Sequence, residues 1–428
     1  MRRLTLLLIL SACAPAPAQI ALPPVRVPSL PAPPLTALQP LERATALPEA
    51  QLRRLKVREL LRRHRELLEE DPEGNPIVRG EVLLIAPSEP TLAHARAAGF
   101  TVLRESAYEE LGVRFVLLKA PGRTARALRQ LTRADASALA DFNHLYTEAG
   151  TVAATPLPAA PAPAPAGPSS TARIGLIDSG VDATHEAFAG LAVQRFGCAG
   201  QAVPAAHGTA VASLLVARSA ALQGAASGAG LYAADVFCAR PQGGAVEEIA
   251  AAFAWLAQQP VPVINVSLVG PPNRLLQQVI ERVQARGQLI VAAVGNDGPA
   301  APPLYPAALP RVVAVTAVDA QGRVLLEAGR GAHVALAAPG ELAAAHAGGG
   351  YELVRGTSFA APLVAGLLAR ELPTVDGAAS SLALAQLERS ARAAGGAVPN
   401  PVYGFGIVGE SLREQPALHA AGLIKSTR

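Results

Sequence analysis

Three side chains of the types used in nucleophilic catalysis lie far apart along the chain: Asp178, His207 and Ser358. A serine hydroxyl is a weak nucleophile at neutral pH and needs a neighbouring base, most often histidine. A carboxylate behind that histidine holds its tautomer and stabilises its charged form. If folding brings the three together, these residue types predict acyl transfer, such as the hydrolysis of a peptide bond.

Each of the three residues also has an ordinary structural explanation when it is taken alone. Asp178 begins the sequence Asp-Ser-Gly, which is common in turns. His207 opens HGTAVASLL and suits the surface end of a helix, while Ser358 in GTSFAAP suits a helix N-cap. The prediction therefore depends on the joint occurrence of the three residues, in this order and in these local contexts.

The elements around these residues are typical of an α/β fold. Short, continuous apolar runs alternate with Ala-rich helical stretches, as expected of a parallel sheet covered by helices on both faces. Asp178 directly follows the first run, at the carboxyl end of a predicted strand, where α/β sheets place functional groups. The runs are Ile174–Ile177, Leu231–Phe237, Val261–Val266, Leu289–Val294 and Val312–Val318.

The order Asp…His…Ser, in the contexts IGLIDSGVDATH, HGTAVASLL and GTSFAAP, resembles that of the subtilisin-like (subtilase) serine peptidases. Further motifs support the resemblance, which covers about residues 173–410. These motifs are LIVAAVGNDGP with Asn296, VINVSL (Val263–Leu268), YPAALPRVVAVTAV (Tyr305–Val318), APG (Ala338–Gly340) and YGFGIV (Tyr403–Val408).

The resemblance implies a three-layer α/β/α domain with a mainly parallel central sheet, and a serine endopeptidase that acts on proteins or peptides through an acyl-enzyme. It implies that Asp178, His207 and Ser358 form the catalytic triad, and that the Asn296 side chain supplies an oxyanion-hole amide. This chemistry requires no metal or organic cofactor. Structural calcium sites are common in the family, and whether this chain has one stays open.

The resemblance also implies a substrate-binding segment at Ser267, Leu268 and Val269, because VINVSL is similar to the strand that pairs with bound peptide. The family commonly reads Ser-Leu-Gly-Gly where this chain has Val269 in the third position. The valine adds bulk to a wall of the main specificity pocket, so the side chain preferred there is left open. Arg355 stands where an Asn often precedes Gly-Thr-Ser.

The start of the chain predicts export. Two arginines and the apolar run Leu4–Leu10 are typical of an export signal, which we assign to residues 1–18. Cys13 in Leu-Ser-Ala-Cys resembles a bacterial lipobox and is the predicted lipidation site, and ordinary cleavage at Ala16–Ala18 is the alternative. We expect a place in the cell envelope, the periplasm or the medium, with membrane contact only through a lipid anchor.

Residues 77–148 predict the order β-α-β-β-α-β, typical of a small ferredoxin-like α+β domain. The predicted elements are Glu81–Ala86, Thr91–Ala98, Thr101–Glu105, Val113–Leu118, Thr124–Arg133 and Ala138–Tyr146. The subtilase resemblance implies that this domain is a propeptide, which assists folding and blocks the active site until it is cut away. We predict self-cleavage just after Tyr146, or within the linker up to Thr171.

The remaining segments complete the predicted domain organisation. Residues 19–76 are a Pro-rich linker and a basic helix, 149–172 a Pro/Ala linker, 173–412 the peptidase domain and 413–428 a C-terminal tail. Within the stretch Leu41–Asp71 a loose helical stripe predicts packing on a neighbouring domain, with membrane lipid or a partner as the alternatives. The stripe consists of Leu52, Leu55, Leu60, Leu67 and Leu68.

Charge and cysteine content limit the other assignments. The net charge of +4 is not gathered into a basic patch with aromatic partners, so we expect no nucleic-acid partner. If Cys13 is lipidated, Cys198 and Cys238 remain, either as a disulfide or as two separate thiols.

A catalytically silent scaffold protein with a subtilase fold is the alternative function. Sedolisin-type peptidases use a Glu-Asp pair instead of histidine, and His207 argues against that class.

Overall fold

The computed structural model describes residues 49–135, 138–152, 170–240 and 242–413, which belong to one compact unit. The predicted export signal, Cys13 and the Pro-rich start of the 19–76 segment lie outside the described residues. So do residues 153–169 of the Pro/Ala linker and residues 414–428. No helix within the described ranges is long and apolar enough to cross a membrane.

The basic segment forms helix α1 (Glu49–Arg63) and the short strand β1 (Leu68–Glu70). The predicted helical stripe is wrong beyond Arg63, because the chain turns there and Leu68 is buried in a strand. Leu67 stays exposed. Leu60 of α1 packs against a small apolar cluster with Leu68, so the prediction that this segment packs on neighbouring structure is confirmed.

The predicted β-α-β-β-α-β order is confirmed in the next segment. The largest difference from the predicted bounds is in the first strand, which begins at Pro76 and not at Glu81. The early half of this strand pairs with β1. The elements are β2 (Pro76–Ile85), α2 (Glu89–Ala97), β3 (Thr101–Tyr108), β4 (Val113–Lys119), α3 (Thr124–Ala134) and β5 (Ala140–Glu148). The four strands are antiparallel and lie in the order β5-β2-β4-β3.

The described chain after β5 contains twelve strands and five α-helices. They are β6 (Thr151–Val152), β7 (Arg173–Asp178), β8 (Val193–Phe196), α4 (Ala206–Val216), β9 (Gly230–Asp235), β10 (Gly244–Ala245), α5 (Val246–Ala257), β11 (Val263–Val266), β12 (Leu268–Val269), α6 (Arg274–Ala285), β13 (Leu289–Ala293), β14 (Val313–Val318), β15 (Val334–Pro339), β16 (Glu341–Ala345), β17 (Tyr351–Arg355), α7 (Thr357–Glu371) and α8 (Gly377–Ser390).

Seven of these strands form the predicted central sheet, in the order β15-β14-β13-β11-β7-β9-β8. Every pair in it is parallel. The apolar runs form strands because their side chains are buried on both faces of the sheet, as parallel strands require. This confirms the α/β/α fold class. Parallel register also places the carboxyl ends of β7, β11 and β13 side by side.

Helices cover both faces of the central sheet. Apolar side chains of α4 and α7 pack on one face, and those of α5 and α6 pack on the other. The antiparallel β2–β5 sheet joins this second layer, because Leu83, Phe115 and Leu117 pack in the same cluster as Ile249 of α5 and Val279 of α6. The other face of the antiparallel sheet is covered by its own helices, α2 and α3.

Candidate active site

Asp178 and His207 meet at the carboxyl end of the central sheet. Asp178 is the last residue of β7 and His207 lies in the first turn of α4, with the Nδ1 atom of His207 2.8 Å from the Oδ1 atom of Asp178. Burial disfavours the charged imidazole, but the hydrogen-bonded Asp178 carboxylate and the charges of Glu148 and Glu352 together raise the pKa of His207. The pair has the arrangement expected of a base and the carboxylate that orients it.

Ser358 lies in the first turn of α7, directly after β17, at the predicted strand-to-helix turn. Gly356 supplies the turn with a φ of 138°, a conformation that favours glycine. The Oγ atom of Ser358 donates a hydrogen bond to the Ser267 carbonyl oxygen at 3.1 Å, while the Nε2 atom of His207 has no partner among the described residues. Proton transfer to His207 therefore requires the Ser358 hydroxyl to turn from this carbonyl toward the ring.

The Asn296 amide is oriented by its neighbours after β13. Its Oδ1 atom accepts a hydrogen bond from the Thr357 backbone N–H at 3.1 Å, and the Thr357 Oγ1 atom accepts one from the Gly295 N–H at 3.1 Å. The Asn296 Nδ2 atom then donates to the carbonyl oxygen of Ala149. The backbone N–H of Ser358 donates to the same oxygen at 3.0 Å. Two donors thus converge on one carbonyl oxygen, which is the arrangement of an oxyanion hole.

The segment that carries Ala149 runs through this site between two strands, with Ala149 and Gly150 in a bend after the end of β5. The end of β5 lies between two short strands and pairs antiparallel with both, with Tyr146 opposite Gly244 of β10 and Glu148 opposite Leu268 of β12. Beyond the site, β6 pairs antiparallel with β17. The chain thus presents its own backbone to the candidate triad, with Ala149 at the centre.

Ala149 and Gly150 were not predicted as site residues. The small Ala-Gly pair directly after the last strand of the ferredoxin-like unit could have indicated them. Small residues let a backbone approach a site closely. A Cβ atom added to Gly150 would lie 3.2 Å from the Ser358 Cβ atom and 2.6 Å from a ring carbon of Phe359. The close approach at Gly150 therefore leaves little room for a larger residue.

The predicted peptide-pairing strand needs a correction. Most of VINVSL forms β11 (Val263–Val266), an interior strand of the central sheet whose edges are taken by β7 and β13. After the chain leaves the sheet, Leu268 and Val269 pair with the end of β5, and the Ser267 carbonyl oxygen accepts a hydrogen bond from the Ala149 N–H at 3.4 Å. Ser267 also contacts Ser358, because its Oγ atom donates to the Ser358 carbonyl oxygen at 2.9 Å.

Val269 borders a cavity of about 370 Å³ beside the site. Its lining includes Lys56, Val57, Leu60, Ala149, Gly150, Val269, Gly270 and Asn296. The first three residues belong to α1, so this helix closes one side of the cavity. The Lys56 Nζ atom lies 3.7 Å from the Asp297 Oδ1 atom. Val269 lines this cavity, and its place in a wall of the main specificity pocket stays a prediction.

Arg355 holds the strand before Ser358 through ion pairs. Its guanidinium contacts both carboxylate oxygens of Glu327, at 2.7 and 2.9 Å, and also pairs with Glu341. A bidentate contact of this kind fixes the side chain more firmly than a single one. The arginine that replaces the family's usual Asn therefore joins β17 to neighbouring segments.

Cys198 and Cys238 form a disulfide, which decides between the two alternatives left by the sequence. Among the described residues, two groups of side chains have the spacing of metal ligands. In the group formed by these cysteines and Asp235, both sulfur atoms are used in the disulfide. The other group is Glu148, Asp178 and His207 at the candidate site itself.

Comparison with known proteins agrees with this geometry. The model of the subtilase family matches residues 169–406, more than half of the chain. Subtilisin BL from Lederbergia lenta is 36% identical over 167 residues, which are 38% of this chain and 61% of that protein. Subtilisin DY from Bacillus licheniformis is 31% identical over 216 residues, 47% of this chain and 78% of that protein.

Solved structures show the same fold. Fervidolysin from Fervidobacterium pennivorans, a keratinolytic enzyme related to subtilisin, matches with a TM-score of 0.65 over 79% of this chain and 62% of its own. At 21% identity this likeness shows the fold alone. The self-cleaved protease domain of PatA matches with a TM-score of 0.50 at 26% identity, over 59% of this chain and 98% of its own. On the strength of the family match, this chain belongs to the subtilase family.

Proposed function

We propose that the chain is a serine endopeptidase made as a precursor, which first cuts its own backbone between Ala149 and Gly150. The observation that carries this proposal is the Ala149 carbonyl oxygen, which accepts hydrogen bonds from both the Asn296 Nδ2 atom and the Ser358 N–H. In the proposed reaction, that oxygen becomes the oxyanion that these two donors stabilise. Of the two predicted places for the cut, this bond falls in the linker, three residues after Tyr146.

In the first half of the proposed reaction, the Ser358 Oγ atom attacks the Ala149 carbonyl carbon as the His207 Nε2 atom takes the hydroxyl proton. Asp178 keeps the imidazole in the required tautomer and stabilises its charge. The C–N bond to Gly150 then breaks, and His207 gives the proton to the new amine of Gly150.

In the second half, a water molecule attacks the acyl-enzyme. His207 takes a proton from the water, and the Ser358 oxygen leaves with a proton when the Ala149 carboxylate forms. The Asn296 amide stabilises the oxyanion in both halves. Other protein or peptide substrates react in the same way once they replace the chain's own segment in the cleft.

We propose residues 77–148 as the intramolecular inhibitor. Contacts with the start of two helices support this role. The Asp141 carboxylate accepts a hydrogen bond from the Arg274 N–H at 2.8 Å at the start of α6, and the Asn143 Oδ1 atom accepts one from the Glu247 N–H at 3.4 Å at the start of α5. A carboxylate at a helix N-terminus is stabilised by the helix dipole.

The buried side chain of Tyr146 adds a further contact between this unit and the cleft. Its hydroxyl donates to the Pro271 carbonyl oxygen at 2.6 Å, and the ring lies so close to Gly270 that a Cβ atom there would clash with it. These contacts do not depend on the Ala149–Gly150 bond. The unit therefore stays bound after the cut and blocks the cleft until it dissociates.

We also propose export, with Cys13 as the lipid anchor. The basic and apolar start of the chain supports export. The Cys198–Cys238 disulfide supports it independently, since disulfides persist in oxidising compartments outside the cytosol.

Expression of the full chain and of its Ser358→Ala variant tests the peptidase proposal. We expect the parent chain to be recovered as two fragments, one with Gly150 as its N-terminal residue, and to be labelled by a fluorophosphonate probe. Ser358→Ala remains one chain without label, while Ser381→Ala, a control on the exposed face of α8, behaves as the parent. Cleavage of Ser358→Ala at the same bond contradicts self-cleavage. Failure of the parent to label, even after limited proteolysis of the 153–169 linker, favours the silent scaffold.

A further inference from the structure

We propose that Ser179 is a specificity-determining residue, which selects a glutamate or glutamine side chain at the second position before the cleaved bond. This inference rests on the proposed function, because the preferred substrate is read from the chain's own segment in the cleft. With the cut after Ala149, the residue at that second position is Glu148.

The contact is a single hydrogen bond between two side chains. The Oγ atom of Ser179 donates to the Oε1 atom of Glu148 at 2.9 Å. Ser179 is buried directly after Asp178, and pairing of Glu148 with Leu268 fixes the backbone from which the glutamate side chain extends. Both partners are therefore held by structure that does not depend on their contact.

The surroundings of Ser179 favour an acceptor rather than a donor on the substrate. The Gly208 backbone N–H, in the first turn of α4, donates to the Ser179 Oγ atom at 3.0 Å. The hydroxyl oxygen is thus already accepting, and its one hydrogen is available to donate to a bound side chain. A chain of hydrogen bonds that begins at a helix N-terminus polarises the hydroxyl and strengthens its donation.

Asp178 competes for the same hydrogen. The Asp178 Oδ1 atom lies 3.2 Å from the Ser179 Oγ atom, slightly farther than the Glu148 oxygen. Without an acceptor on the substrate, the hydroxyl turns to Asp178. Asp178 does not need this bond for its position, because the Ser179 backbone N–H donates to the same Oδ1 atom at 2.7 Å. The hydroxyl is therefore available to read the substrate.

Two charged groups near this position act on Glu148 in opposite directions. Oxygen atoms of Glu148 and Asp178 and a ring nitrogen of His207 lie within 4.8 Å of one another. The negative charge of Glu148 is attracted by a charged His207 and repelled by Asp178, so the two effects oppose each other. Glutamine keeps the acceptor oxygen without the repulsion, and we expect it to be accepted as well as glutamate.

Peptide hydrolysis by the matured enzyme tests the inference. The substrates are Leu-Tyr-Thr-X-Ala-Gly peptides with Glu, Gln or Met as X, since methionine has a similar length but only a weak acceptor. A charge-matched control, Leu-Tyr-Glu-Thr-Ala-Gly, moves the glutamate one position. We expect kcat/KM for the Glu and Gln peptides to exceed that for the Met peptide and for the control by about tenfold. A factor of this size corresponds to the free energy of one net hydrogen bond.

The variant Ser179→Ala separates recognition from a structural role. We expect it to lower the Glu-to-Met ratio of kcat/KM to about one, the ratio for a cleft without the hydrogen bond. A merely structural Ser179 would lower both values and leave the ratio unchanged, and that result overturns the inference. Equal rates for Glu and Met in the parent enzyme overturn it as well.

A second readout needs no catalysis. In the full chain with Ser358→Ala, hydrogen exchange of the amides at 146–149 reports how firmly the segment is held. We expect Glu148→Met and Ser179→Ala each to speed this exchange, and the two together to add nothing further. If no peptide is cut and no probe binds, the proposed function fails, yet the exchange result still decides whether Ser179 holds Glu148. Exchange unchanged by either variant overturns the contact.

Discussion

The carbonyl oxygen of Ala149 lies 3.0 Å from the backbone nitrogen of Ser358, the candidate nucleophile. A carbonyl held there is pre-positioned for attack, and such positioning supplies a large part of the rate of an intramolecular reaction. The same contact explains why the precursor is inactive toward other substrates in our proposal. The segment that is cut first is also the segment that fills the cleft.

Removal of the side-chain donor at the proposed oxyanion hole tests its role. We expect Asn296→Ala to slow self-cleavage by about 10²–10³-fold, because the Ser358 N–H alone remains to stabilise the oxyanion. Asn296→Asp is the matched control, since it keeps an oxygen for the Thr357 N–H but offers no donor. The time course of fragment formation measures both variants, and an unchanged rate in either contradicts the assignment.

We expect the hydroxyl of Tyr146 to prolong the binding of the cut unit. Tyr146→Phe loses the hydrogen bond to the Pro271 carbonyl oxygen, a change of about 0.5–1.5 kcal/mol, while Tyr146→Ala loses about 3–5 kcal/mol of buried contact. We expect the delay between cleavage and the appearance of peptidase activity to be shorter in Tyr146→Phe than in the parent, and shorter still in Tyr146→Ala. Equal delays in the three proteins would show that Tyr146 does not hold the unit.

We expect the pH dependence of the proposed self-cleavage to depend on the charge of Glu148. The base must be neutral to accept a proton, so the rate rises as the pH passes upward through the pKa of His207, which is raised in the precursor. Glu148→Gln removes one negative charge from beside the ring and lowers that pKa. We therefore expect the midpoint of the rate profile to move to lower pH.

Other charges beside His207 provide the comparison for this experiment. Asp178 makes the strongest favourable contact and belongs to the proposed triad, whereas Glu352 is a weaker contributor held by His346 at 2.9 Å. We expect Glu352→Gln to produce a smaller shift in the same direction. Desolvation raises the pKa of Glu148 itself. Glu148 therefore raises the pKa of His207 fully only at a pH at which the Glu148 carboxyl is ionised. A shift of the midpoint to higher pH contradicts the electrostatic account.

The disulfide contributes stability through the loop that it closes. Cys198 and Cys238 are 40 positions apart, and for such a loop we expect loss of the bond to lower the free energy of unfolding by about 2–4 kcal/mol. Urea unfolding of the double Cys→Ser variant, in the Ser358→Ala background to prevent self-digestion, measures the change. Reductant should destabilise the parent and leave the double variant unaffected. Equal stability of the two proteins would contradict this prediction.

Val269 is expected to limit the size of the side chain before the cut. Val269→Gly widens the cavity beside Ala149. We therefore expect kcat/KM to rise by about tenfold for peptides with Phe or Leu directly before the cleaved bond, relative to peptides with Ala there. A change of this size is typical of a hydrophobic pocket that gains or loses a methylene group. A peptide series that differs only at this position measures the change. An unaltered preference would remove Val269 from the pocket wall.

The sequence predicted those features that depend on local pattern. Asp178 ends a continuous apolar run, and such a run is a buried parallel strand whose carboxyl end faces the site. Ser358 follows a turn that only small residues permit, between a strand and a helix. In both cases the residue's position depends on its immediate neighbours, so the pattern is sufficient.

The features that were missed depend on pairing between distant segments. Ala149 reaches the site only because β5 pairs with β10 and β12, and nothing near Ala149 in the sequence specifies these partners. The misassigned VINVSL segment has the same cause, since interior and peptide-pairing strands are equally apolar. Ser179 gains its proposed role only from a contact with Glu148, 31 positions earlier in the chain.

The strands on both sides of Ala149 have a consequence for the kinetic order of maturation. Because β5 and β6 hold the chain on either side of the Ala149–Gly150 bond, nucleophile and substrate belong to one molecule and meet without diffusion. The first cut is then a unimolecular event, whose half-time does not change when the protein is diluted. A protein exported at low copy number would mature as fast as one secreted in abundance.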